Sequence, residues 1–541
     1  LNTMFFKGGF DWPVMRSTGR FITAKSPYKK NPLKLIECSN FYPGRKLINV
    51  VTDVNGEYRS DYLNFLKQYD APAYIDKHIL GVDGNRKELT KACISHSWAA
   101  VFALQDIERQ INALGGSLEI TPALTAQKLH RRRFLPKDAQ IFDHTKTAER
   151  IALEKLLSFD SYYGGRVENF IRSEEGTIVE NVAHIDINSS YPYSMRNFDY
   201  PNVWNHRIVE QSDEFSKKEE IKRFKAKLYS AEGWAKLRMS TPNDQNIMLL
   251  PVNLMNGQLI FPEGRIVGVW SFPEIRRALE VGYKIKKVLM YGYMPKTKAP
   301  LFKDYVDVIY PLKKEKHLKN GVKLMLNSLY GKFGQKANIE QGWVLASEEE
   351  AEIYINQTKS PEYGYSYNPG DFRLYKDLIL KYEAEPPLHE RGFAKTAYPL
   401  IAAYVTSYSR INLYNAMIAI GADDVLYCDT DSIFADRNAV LNAIDAGKIK
   451  IDSFELGCWD IEHENCSFEC KGLKHYRLKN EGSSEWEYTI KGVPKPYMAE
   501  FWEKERVSFK RPIKFANAVR NGKKINYFVT VEKSNLKPFP K

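Results

Sequence analysis

The stretch Tyr427-Cys428-Asp429-Thr430-Asp431-Ser432 constrains the fold more than any other part of the chain. Val425 and Leu426 precede it, and Ile433 and Phe434 follow it, so the sequence predicts two short buried strands with both acids at the tip of a hairpin. Neighbouring carboxylates held against apolar strands repel each other and lose hydration unless a cation neutralises them. A hard divalent ion such as Mg²⁺ is the simplest such cation. A solvated surface turn is the alternative, and the hairpin alone does not decide between them.

A second acid-bearing strand is predicted upstream. The apolar run Val182–Ile187 contains Asp186 near its end, and the turn after it finishes in Tyr191-Pro192, where the proline ring fixes the backbone. A carboxylate at a strand end is a natural third ligand for ions bound at the hairpin. The alternative role for Asp186 is a helix cap or turn acid, which is the commoner role of an isolated Asp.

A third signal lies between residues 302 and 334. After a predicted break at Asn320-Gly321, an apolar stripe at helical spacing predicts a buried helix face, and Gly331 is predicted to end the helix. The stripe consists of Val322, Met325, Leu326 and Leu329. Lys323, Asn327 and Tyr330 share another face, and Lys313 on a preceding helix could converge with Lys323. Two lysines and two metal ions can hold a triphosphate, whereas a solvated lysine face is the usual alternative.

Length and composition limit the class of protein. The chain of 541 residues is too long for one core and predicts a multidomain globular protein. Lys and Arg outnumber Asp and Glu by 79 to 66, and aromatic residues make up 13% of the chain, which together favour a polyanion with stackable bases as partner. No apolar run reaches the ~18 residues of a membrane span. We therefore expect a cytoplasmic protein without a membrane partner, in the host cytoplasm if it is viral.

The cysteines predict free thiols in a reducing compartment, because the six of them show no paired spacing. Cys458, His463, Cys466 and Cys470 lie close together in sequence but lack zinc-ligand spacing, so the role of this cluster stays open.

The first lobe, to about residue 148, reads as an α/β unit. Leu33 to Ile36 and Lys46 to Thr52 are β-like. Lys87 to Leu114 is predicted to be a helix, with one buried face at helical spacing. That face consists of Ala100, Leu104, Ile107, Ile111 and Leu114. Farther on, Gly164 and Gly165 follow Tyr162-Tyr163 and permit close backbone approach.

Four motifs together resemble the family B DNA polymerases. Asp186 to Pro192 resembles motif A, with Ser190 where Leu is usual; Lys323 to Gly331 resembles motif B; Tyr427 to Ser432 resembles motif C; and Lys474-His475-Tyr476 resembles the KxY motif. Their order and spacing also fit. The Tyr162-to-Gly165 element, Leu301-Phe302-Lys303-Asp304 and a short thumb resemble the protein-primed phage-type branch.

The resemblance implies an α/β and α+β multidomain right-hand polymerase with palm, fingers and thumb, preceded by an exonuclease-like α/β domain. It implies an exonuclease-like domain at 1–150, palm at 151–300 with an insertion and at 394–476, fingers at 301–334, a second insertion at 335–393, and a thumb at 477–541. In the protein-primed branch such insertions contact the priming protein and encircle DNA.

The resemblance also implies roles for individual residues. Asp186 and Asp431 are the main ligands of two Mg²⁺ ions, for which Mn²⁺ may substitute, with Asp429 supporting them and backbone atoms at Ile187 joining the site. The other implied roles are nucleotide binding by Tyr191, Lys313, Lys323, Asn327 and Tyr330, and DNA binding by Tyr162, Gly164, Gly165, Lys474 and Tyr476. Tyr191 is expected to lie beneath the sugar and exclude a 2′-hydroxyl.

The first lobe departs from the family pattern. The expected Tyr-x3-Asp exonuclease motif is best matched by Cys93 to Ser97, and Phe10-Asp11 is a weak remnant of a second motif. We expect a domain without catalysis, with truncation before Leu1 as the rival explanation.

The resulting prediction is a DNA-templated DNA polymerase that extends a primer with deoxynucleoside triphosphates. Protein priming by a terminal protein and priming by nucleic acid alone both stay open, as does the source among phages, viruses and linear plasmids. The alternatives are a catalytically silent DNA-binding replication scaffold and a reverse transcriptase or RNA-making relative. Retention of Asp186, Asp429, Asp431 and Lys323 disfavours the scaffold, and Tyr191 disfavours ribonucleotide synthesis.

Overall fold

The computed structural model describes residues 15–17, 21–24, 33–36, 41–42, 47–54, 59–68, 86–119, 121–137, 139, 146–171, 177–203, 206–210, 216–243, 245–254, 257–297, 300–315, 318–336, 340–346, 349, 352–353, 356, 365–374, 377–384, 393–394, 396–512 and 528–534.

The helices of this part of the chain are α1 (Leu47–Asp53), α2 (Arg59–Gln68), α3 (Arg86–Ala113), α4 (Pro122–Leu129), α5 (Ala148–Phe159), α6 (Ser190–Asn197), α7 (Lys217–Ser230), α8 (Phe272–Glu280), α9 (Lys303–Ile309), α10 (Lys319–Phe333), α11 (Pro399–Ile420), α12 (Arg437–Asp445) and α13 (Met498–Lys504). A π-helical turn (His130–Phe134) extends α4, and 3₁₀ turns cover Tyr310–Lys314 and Lys495–Tyr497.

The strands are β1 (Met15–Ser17), β2 (Phe21–Ala24), β3 (Leu33–Ile36), β4 (Val167–Asn169), β5 (Ile178–Ile187), β6 (Arg207–Glu210), β7 (Glu232–Ser240), β8 (Val252–Asn253), β9 (Leu259–Ile260), β10 (Arg265–Ser271), β11 (Lys284–Met294), β12 (Glu340–Ala346), β13 (Tyr365–Leu374), β14 (Asp377–Ala384), β15 (Val425–Asp429), β16 (Ser432–Asp436), β17 (Trp459–Gly472), β18 (His475–Asn480), β19 (Glu487–Ile490), β20 (Arg506–Pro512) and β21 (Phe528–Ser534).

A seven-stranded antiparallel sheet, in the order β19-β18-β17-β5-β16-β15-β4, carries the acid-bearing strands. The predicted hairpin is confirmed as β15 and β16, and the predicted strand before Asp186 is confirmed as β5. Strand β5 lies between β16 and β17, which brings the two acid-bearing segments together although they are far apart in sequence. The sheet continues through β18 and β19 and so crosses the expected palm–thumb border at 476.

A four-stranded sheet, in the order β10-β7-β11-β6, fills the expected insertion between residues 200 and 300. Leu237 and Met239 on β7 share a hydrophobic core with Phe224 and Leu228 of α7. Helix α11 is apolar, and its residues enter two hydrophobic cores, with Leu400 in one and Leu413 in the other. Burial of α11 along most of its length makes it the central support of the fold.

The first lobe is helical where the sequence predicted it, with two corrections. Residues 46–52 were expected to be β-like, but Leu47–Asp53 is α1, because burying Val50 and Val51 outweighs their β propensity. The long helix is confirmed as α3, but its buried face passes through Ala99 and Ala103, whereas Ala100 and Leu104 are only half-buried. Ile107 and Ile111 are buried as predicted.

Helix α10 also differs from its predicted limits. It begins at Lys319, so Gly321 lies inside it, and it passes Gly331 to end at Phe333. A Cβ atom at residue 321 would lie 3.3 Å from the carbonyl oxygen of Phe41, so this glycine permits close packing of the first lobe. The stretch containing Tyr191 and Pro192 is likewise the first turn of α6 and not an isolated turn.

The N-terminal strands pair with the second expected insertion. The six-stranded sheet has the order β13-β14-β12-β1-β2-β3, so β1 of the first lobe lies beside β12. Pro369-Gly370 lies within β13 at a register irregularity. These two parts of the chain form one sheet.

Within the described ranges, no helix combines the length and the apolarity needed to cross a membrane. Cys428, Cys458, Cys466 and Cys470 are free and buried, as predicted.

Candidate active site

The predicted carboxylates meet at one edge of the seven-stranded sheet. Asp186 lies at the end of β5, Asp429 ends β15, and Asp431 lies in the turn between β15 and β16. Ser432 is paired with Asp186 on one side and with Asp429 on the other. The amide of Ile187 donates a 2.8 Å hydrogen bond to the carbonyl oxygen of Asp431. The backbone therefore fixes the separation of the acid-bearing segments.

The turn between the acids has an unusual conformation that the Tyr162-to-Gly165 element supports. Thr430 has a φ of +63°, in the left-handed region. Its amide donates a 2.6 Å hydrogen bond to the carbonyl oxygen of Arg166. A Cβ atom at Gly165 would lie 2.7 Å from Cγ2 of Thr430, whereas one at Gly164 would meet nothing within 4 Å. Gly165 is thus needed for close approach to the turn.

Charge repulsion and burial both act on the acids. Burial, assisted by the charges of Asp431 and Glu462, raises the pKa of Asp186 to about 7. Burial also raises the pKa of Asp431 to about 6, although Lys323 opposes the rise. Such groups favour a nearby cation, because a cation restores the charged form.

Asp429 is held by a lysine. Lys474 Nζ donates hydrogen bonds of 2.5 Å and 2.6 Å to the two carboxylate oxygens of Asp429. Lys474 lies in the turn between β17 and β18 with a φ of +56°, and its amide donates to the hydroxyl of Tyr427 at 2.8 Å. The ring of Tyr427 contacts that of Tyr476 at 5.3 Å between centroids. The structure therefore brings the predicted Lys474-Tyr476 pair directly against the hairpin.

The predicted lysines approach Asp186 from the other side. Lys313 lies in the 3₁₀ turn after α9, and its Nζ donates to Oγ of Ser189 at 3.1 Å. Burial and the charge of Lys323 lower the pKa of Lys313. Lys323 is exposed on α10, and both lysine charges act on Asp186. The two cations thus converge as the sequence predicted.

Three tyrosines line the space beside the carboxylates. The ring centroids of Tyr191 on α6 and Tyr330 on α10 lie 4.6 Å apart, with the two rings tilted against each other. Tyr162 is close enough to Tyr191 and Tyr330 to interact electrostatically with both. A Cβ atom at Gly334 would collide with the ring of Tyr162, so this glycine admits the ring. Asn327 is half-buried on the same helix as Tyr330.

Arg410 is a supporting residue that sequence reasoning missed. It lies on α11 with 1% of its surface exposed and donates to the carbonyl oxygens of Tyr163 at 2.8 Å and Gly164 at 2.7 Å. Its Nε donates to Glu274 at 2.9 Å. The sequence could have indicated this role, because Arg410 is the single charged residue in the apolar helix α11. A buried charge needs a partner.

Of the three acids predicted to form the metal site, only Asp186 and Asp431 are available to a divalent ion. Among the described residues, no group of three or more His, Cys, Asp and Glu side chains is arranged to hold a metal ion. Lys474 occupies both oxygens of Asp429, which leaves Asp186 and Asp431 as the available carboxylates. Mg²⁺ in proteins commonly takes one or two carboxylates and completes its coordination with water and substrate phosphates. The repulsion between Asp186 and Asp431 fits such an ion.

The chain is similar in sequence to known DNA polymerases. A family model described as DNA polymerase type B, organellar and viral, matches residues 121–379. A DNA-directed DNA polymerase of Enterobacteria phage PRD1 is 28% identical over 323 residues, covering 59% of this chain and 49% of the phage protein. A DNA polymerase of Kluyveromyces lactis is 26% identical over 322 residues, covering 55% of this chain and 29% of that protein.

Residues 121–379, just under half of the chain, thus resemble the organellar and viral type B DNA polymerases. This match agrees with the resemblance found from the four motifs. The chain spans about half or less of the length of those two relatives.

The fold of this chain resembles that of a solved structure. Phi29 DNA polymerase, solved with primer-template DNA and incoming nucleotide, superimposes with a TM-score of 0.64 over 97% of this chain and 84% of the other, at 16% identity. The predicted multidomain right-hand polymerase fold is therefore confirmed.

Proposed function

We propose that this protein is a DNA-templated DNA polymerase that adds deoxynucleotides to a primer 3′ hydroxyl. The main support for this proposal is that two acids and two lysines lie close enough to influence one another electrostatically. They are Asp186, Asp431, Lys313 and Lys323. Two acids that favour a cation, next to two cations that favour an anion, form a site suited to a metal-bound triphosphate.

Asp186 and Asp431 would hold Mg²⁺ ions, with the backbone at Ile187 beside them. The ions would supply charge stabilisation at the transferring phosphoryl group and a lower pKa at the primer hydroxyl. Mn²⁺ has similar ligand preferences and could replace Mg²⁺.

The remaining residues position the reactants. Lys313 and Lys323 bind the phosphates, since the positive charges of both lysines act on Asp186. Lys474 neutralises Asp429 and, with Tyr476, supports the primer strand beside the hairpin. Each contributes orientation and charge, which are the main requirements of phosphoryl transfer.

Three other residues border the nascent base pair. Tyr191 packs on Tyr330 and lies where the sugar of an incoming nucleotide would rest, so we infer that it excludes a 2′-hydroxyl. Asn327 shares the same helix as Tyr330. The template lies against Tyr162, Gly164 and Gly165, whose backbone Arg410 fixes.

The domain roles follow from this assignment. We assign 151–300 and 394–476 to the palm, 301–334 to the fingers and 477–541 to the thumb, with 335–393 as an insertion. We propose a terminal protein as primer because the Tyr162-to-Gly165 element and Leu301-Phe302-Lys303-Asp304 resemble the protein-primed branch. Replication of phage, viral or plasmid DNA in a host cytoplasm would follow.

We also propose that the first lobe, residues 1–150, lacks 3′-5′ exonuclease activity. Ser97 is exposed on α3 where an Asp would be needed, and Cys93 lies on the same helix. Two-metal hydrolysis requires several converging carboxylates. Phe10-Asp11 lies outside the described residues.

A primer-extension assay with Mg²⁺ tests the proposal. Asp431→Asn keeps the size of the side chain but removes its charge, so extension should fall by orders of magnitude while DNA binding persists. Asp445→Asn on α12 is a matched control. Near-normal extension by Asp431→Asn contradicts the assignment, and DNA binding without extension by the unsubstituted protein would favour the scaffold. Mg²⁺-dependent shortening of single-stranded DNA by Asp431→Asn would contradict the inactive first lobe.

A further inference from the structure

The loop before β17 has a shape that its own hydrogen bonds fix. It comprises residues 452–458, and we call it the bridging loop. Oδ1 of Asp452 accepts hydrogen bonds from the backbone amides of Phe454, at 2.7 Å, and Glu455, at 2.5 Å. The amide of Asp452 donates to the carbonyl oxygen of Trp459 at 3.0 Å, which closes the loop at its base. An aspartate that binds two amides in this way holds a turn together, so the loop can support other segments.

On one side, the bridging loop binds the chain that follows Asp186. The amide of Asn188 donates a 2.8 Å hydrogen bond to the carbonyl oxygen of Cys458. Nδ2 of Asn188 donates to the carbonyl oxygen of Asp452 at 2.6 Å. The next residue, Ser189, has a φ of +57°, in the left-handed region. The bridging loop thus fixes the backbone that leads from Asp186 to α6.

On the other side, the bridging loop binds the 3₁₀ turn that carries Lys313. The hydroxyl of Tyr310 donates a 2.8 Å hydrogen bond to the carbonyl oxygen of Phe454, and the two ring centroids lie 5.4 Å apart. Nζ of Lys314 lies 4.5 Å from the centroid of the Phe454 ring. A cation over the face of a ring is attracted to it. Phe454 therefore contacts the turn on both sides of Lys313 in the sequence.

Tyr310 also contacts Lys313 directly. Nζ of Lys313 lies 5.3 Å from the centroid of the Tyr310 ring and donates to Oγ of Ser189 at 3.1 Å. Tyr310 is buried, so its ring offers a fixed surface to the flexible stem of the lysine. The position of the ammonium group therefore depends on how Tyr310 is held, and Phe454 accepts the hydrogen bond from its hydroxyl.

A metal-bound triphosphate must meet both sides of the site at once. In the proposed function, ions at Asp186 and Asp431 hold it on one side, and Lys313 holds it on the other. Phosphoryl transfer depends on such positioning. Asp186 and Lys313 are far apart in sequence, but the bridging loop contacts the neighbours of each. The loop can therefore set the distance between them.

We propose that Tyr310 and Phe454 are positioning residues that hold Lys313 at the distance from Asp186 at which it binds the phosphates of the incoming nucleotide. The inference rests on the proposed function, because that function assigns phosphate binding to Lys313. Both residues act through Lys313 and not by contact with the nucleotide. Loss of either should weaken nucleotide binding, while the carboxylates and the DNA-binding residues stay in place.

Steady-state incorporation of a single nucleotide on a primer-template measures the effect. Tyr310→Phe loses only the hydroxyl, and loss of one hydrogen bond should raise KM for the deoxynucleoside triphosphate about 2- to 10-fold, with kcat changed less. Phe454→Ala loses the contacts with both Tyr310 and Lys314 and should raise KM at least as much. Tyr42→Phe is the matched control, because the Tyr42 hydroxyl also donates to a backbone carbonyl, that of Ala103 at 2.9 Å. Its KM should stay unchanged.

A double-mutant cycle shows whether the effect passes through Lys313. The ammonium group is absent from Lys313→Met, so adding Phe454→Ala to it should change KM by less than about 2-fold. If Phe454 served packing alone, Phe454→Ala would have the same effect with and without Lys313. Phe454→Tyr keeps the ring and the backbone carbonyl and should retain the original KM.

An unchanged KM in either Tyr310→Phe or Phe454→Ala would overturn the proposal, as would a full Phe454→Ala effect in the Lys313→Met background. If Phe454→Ala does not fold, Tyr310→Phe in the same two backgrounds decides the question. The proposed function fails separately, because an unchanged KM in Lys313→Met alone would remove Lys313 from the phosphate site whatever the bridging loop does.

Discussion

Lys474 and Asp429 form a two-point contact in which Nζ lies 2.5 Å and 2.6 Å from the two carboxylate oxygens. The backbone amide of Lys474 also donates a hydrogen bond to the hydroxyl of Tyr427. Lys474 therefore joins the β17–β18 turn to the acid-bearing hairpin. It satisfies the charge of Asp429 from within the protein. Of the three acids, Asp186 and Asp431 are thereby left with raised pKa values and a need for an external cation.

Removing this lysine should impair synthesis. Lys474→Met leaves the charge of Asp429 unbalanced beside Asp431, so we expect primer extension to fall about 10- to 100-fold, the range typical of residues that support metal ligands. Steady-state extension over a range of Mg²⁺ concentrations measures the effect. Lys479→Met on β18 removes the same charge from a side chain that lies over Trp486, and it serves as control. Equal activities for the two variants would show that the contact with Asp429 has no catalytic consequence.

The Tyr191–Tyr330 contact predicts sugar selectivity. Tyr191→Val removes the ring that we place beneath the sugar and should raise the ratio of ribonucleotide to deoxyribonucleotide incorporation by about 10- to 100-fold. Tyr330→Phe keeps the ring that packs against Tyr191 and loses only the hydroxyl, so its ratio should change far less. Single-nucleotide incorporation with each substrate gives the ratio. An unchanged ratio in Tyr191→Val would show that another residue selects the sugar.

Most of the site could be predicted from the short motifs, because the spacing of residues within one strand or helix is a local property of the sequence. The hairpin around Asp429 and Asp431, the strand before Asp186 and the face shared by Lys323 and Tyr330 all followed from periods of two or 3.6 residues. The motifs were also numerous enough to identify the family.

The remainder depended on contacts between distant segments. Nothing local predicts that Lys474 Nζ reaches Asp429 or that the carbonyl oxygen of Arg166 accepts from Thr430. Val50 and Val51 favour a strand by propensity but are buried in a helix. The limits of α10 were misplaced because Gly321 was interpreted as a break, whereas its lack of a side chain serves packing against Phe41.

Arg410 should be important for both stability and DNA binding. Arg410→Met leaves the buried charge of Glu274 without its ion-pair partner, and loss of one member of a buried pair costs about 3–5 kcal/mol of the free energy of unfolding. The carbonyl oxygens of Tyr163 and Gly164 also lose their donor, so the affinity for primer-template should fall. Denaturant unfolding and DNA-binding titrations measure the two effects.

A double variant separates the two roles of Arg410. Arg410→Met with Glu274→Gln removes both charges and should recover part of the stability. Its DNA affinity should stay low, because the donor to Tyr163 and Gly164 is still missing. Recovery of DNA affinity together with stability would show that Arg410 does not position this element.

His130 should make the protein less stable in mild acid. Its ring is buried between the first lobe and α9, with Nε2 2.9 Å from the carbonyl oxygen of Leu301 and the rings of Phe302 and Tyr305 packed around it. Burial, reinforced by the charge of Arg131, lowers the pKa of His130 from 6.5 to about 4. The folded protein therefore favours the neutral ring, whereas the unfolded chain takes up a proton near pH 6.5.

The sign of the effect follows from this difference in proton uptake. The contribution of the neutral His130 ring to the free energy of unfolding is fully present above pH 6.5. It is lost as the pH falls toward 4, and the total loss is at most about 3 kcal/mol. His130→Gln keeps a donor for Leu301 but does not titrate. Between pH 6.5 and 5, the melting temperature of the unsubstituted protein should fall more steeply than that of the variant. Parallel melting curves over this range would mean that protonation of His130 does not limit stability.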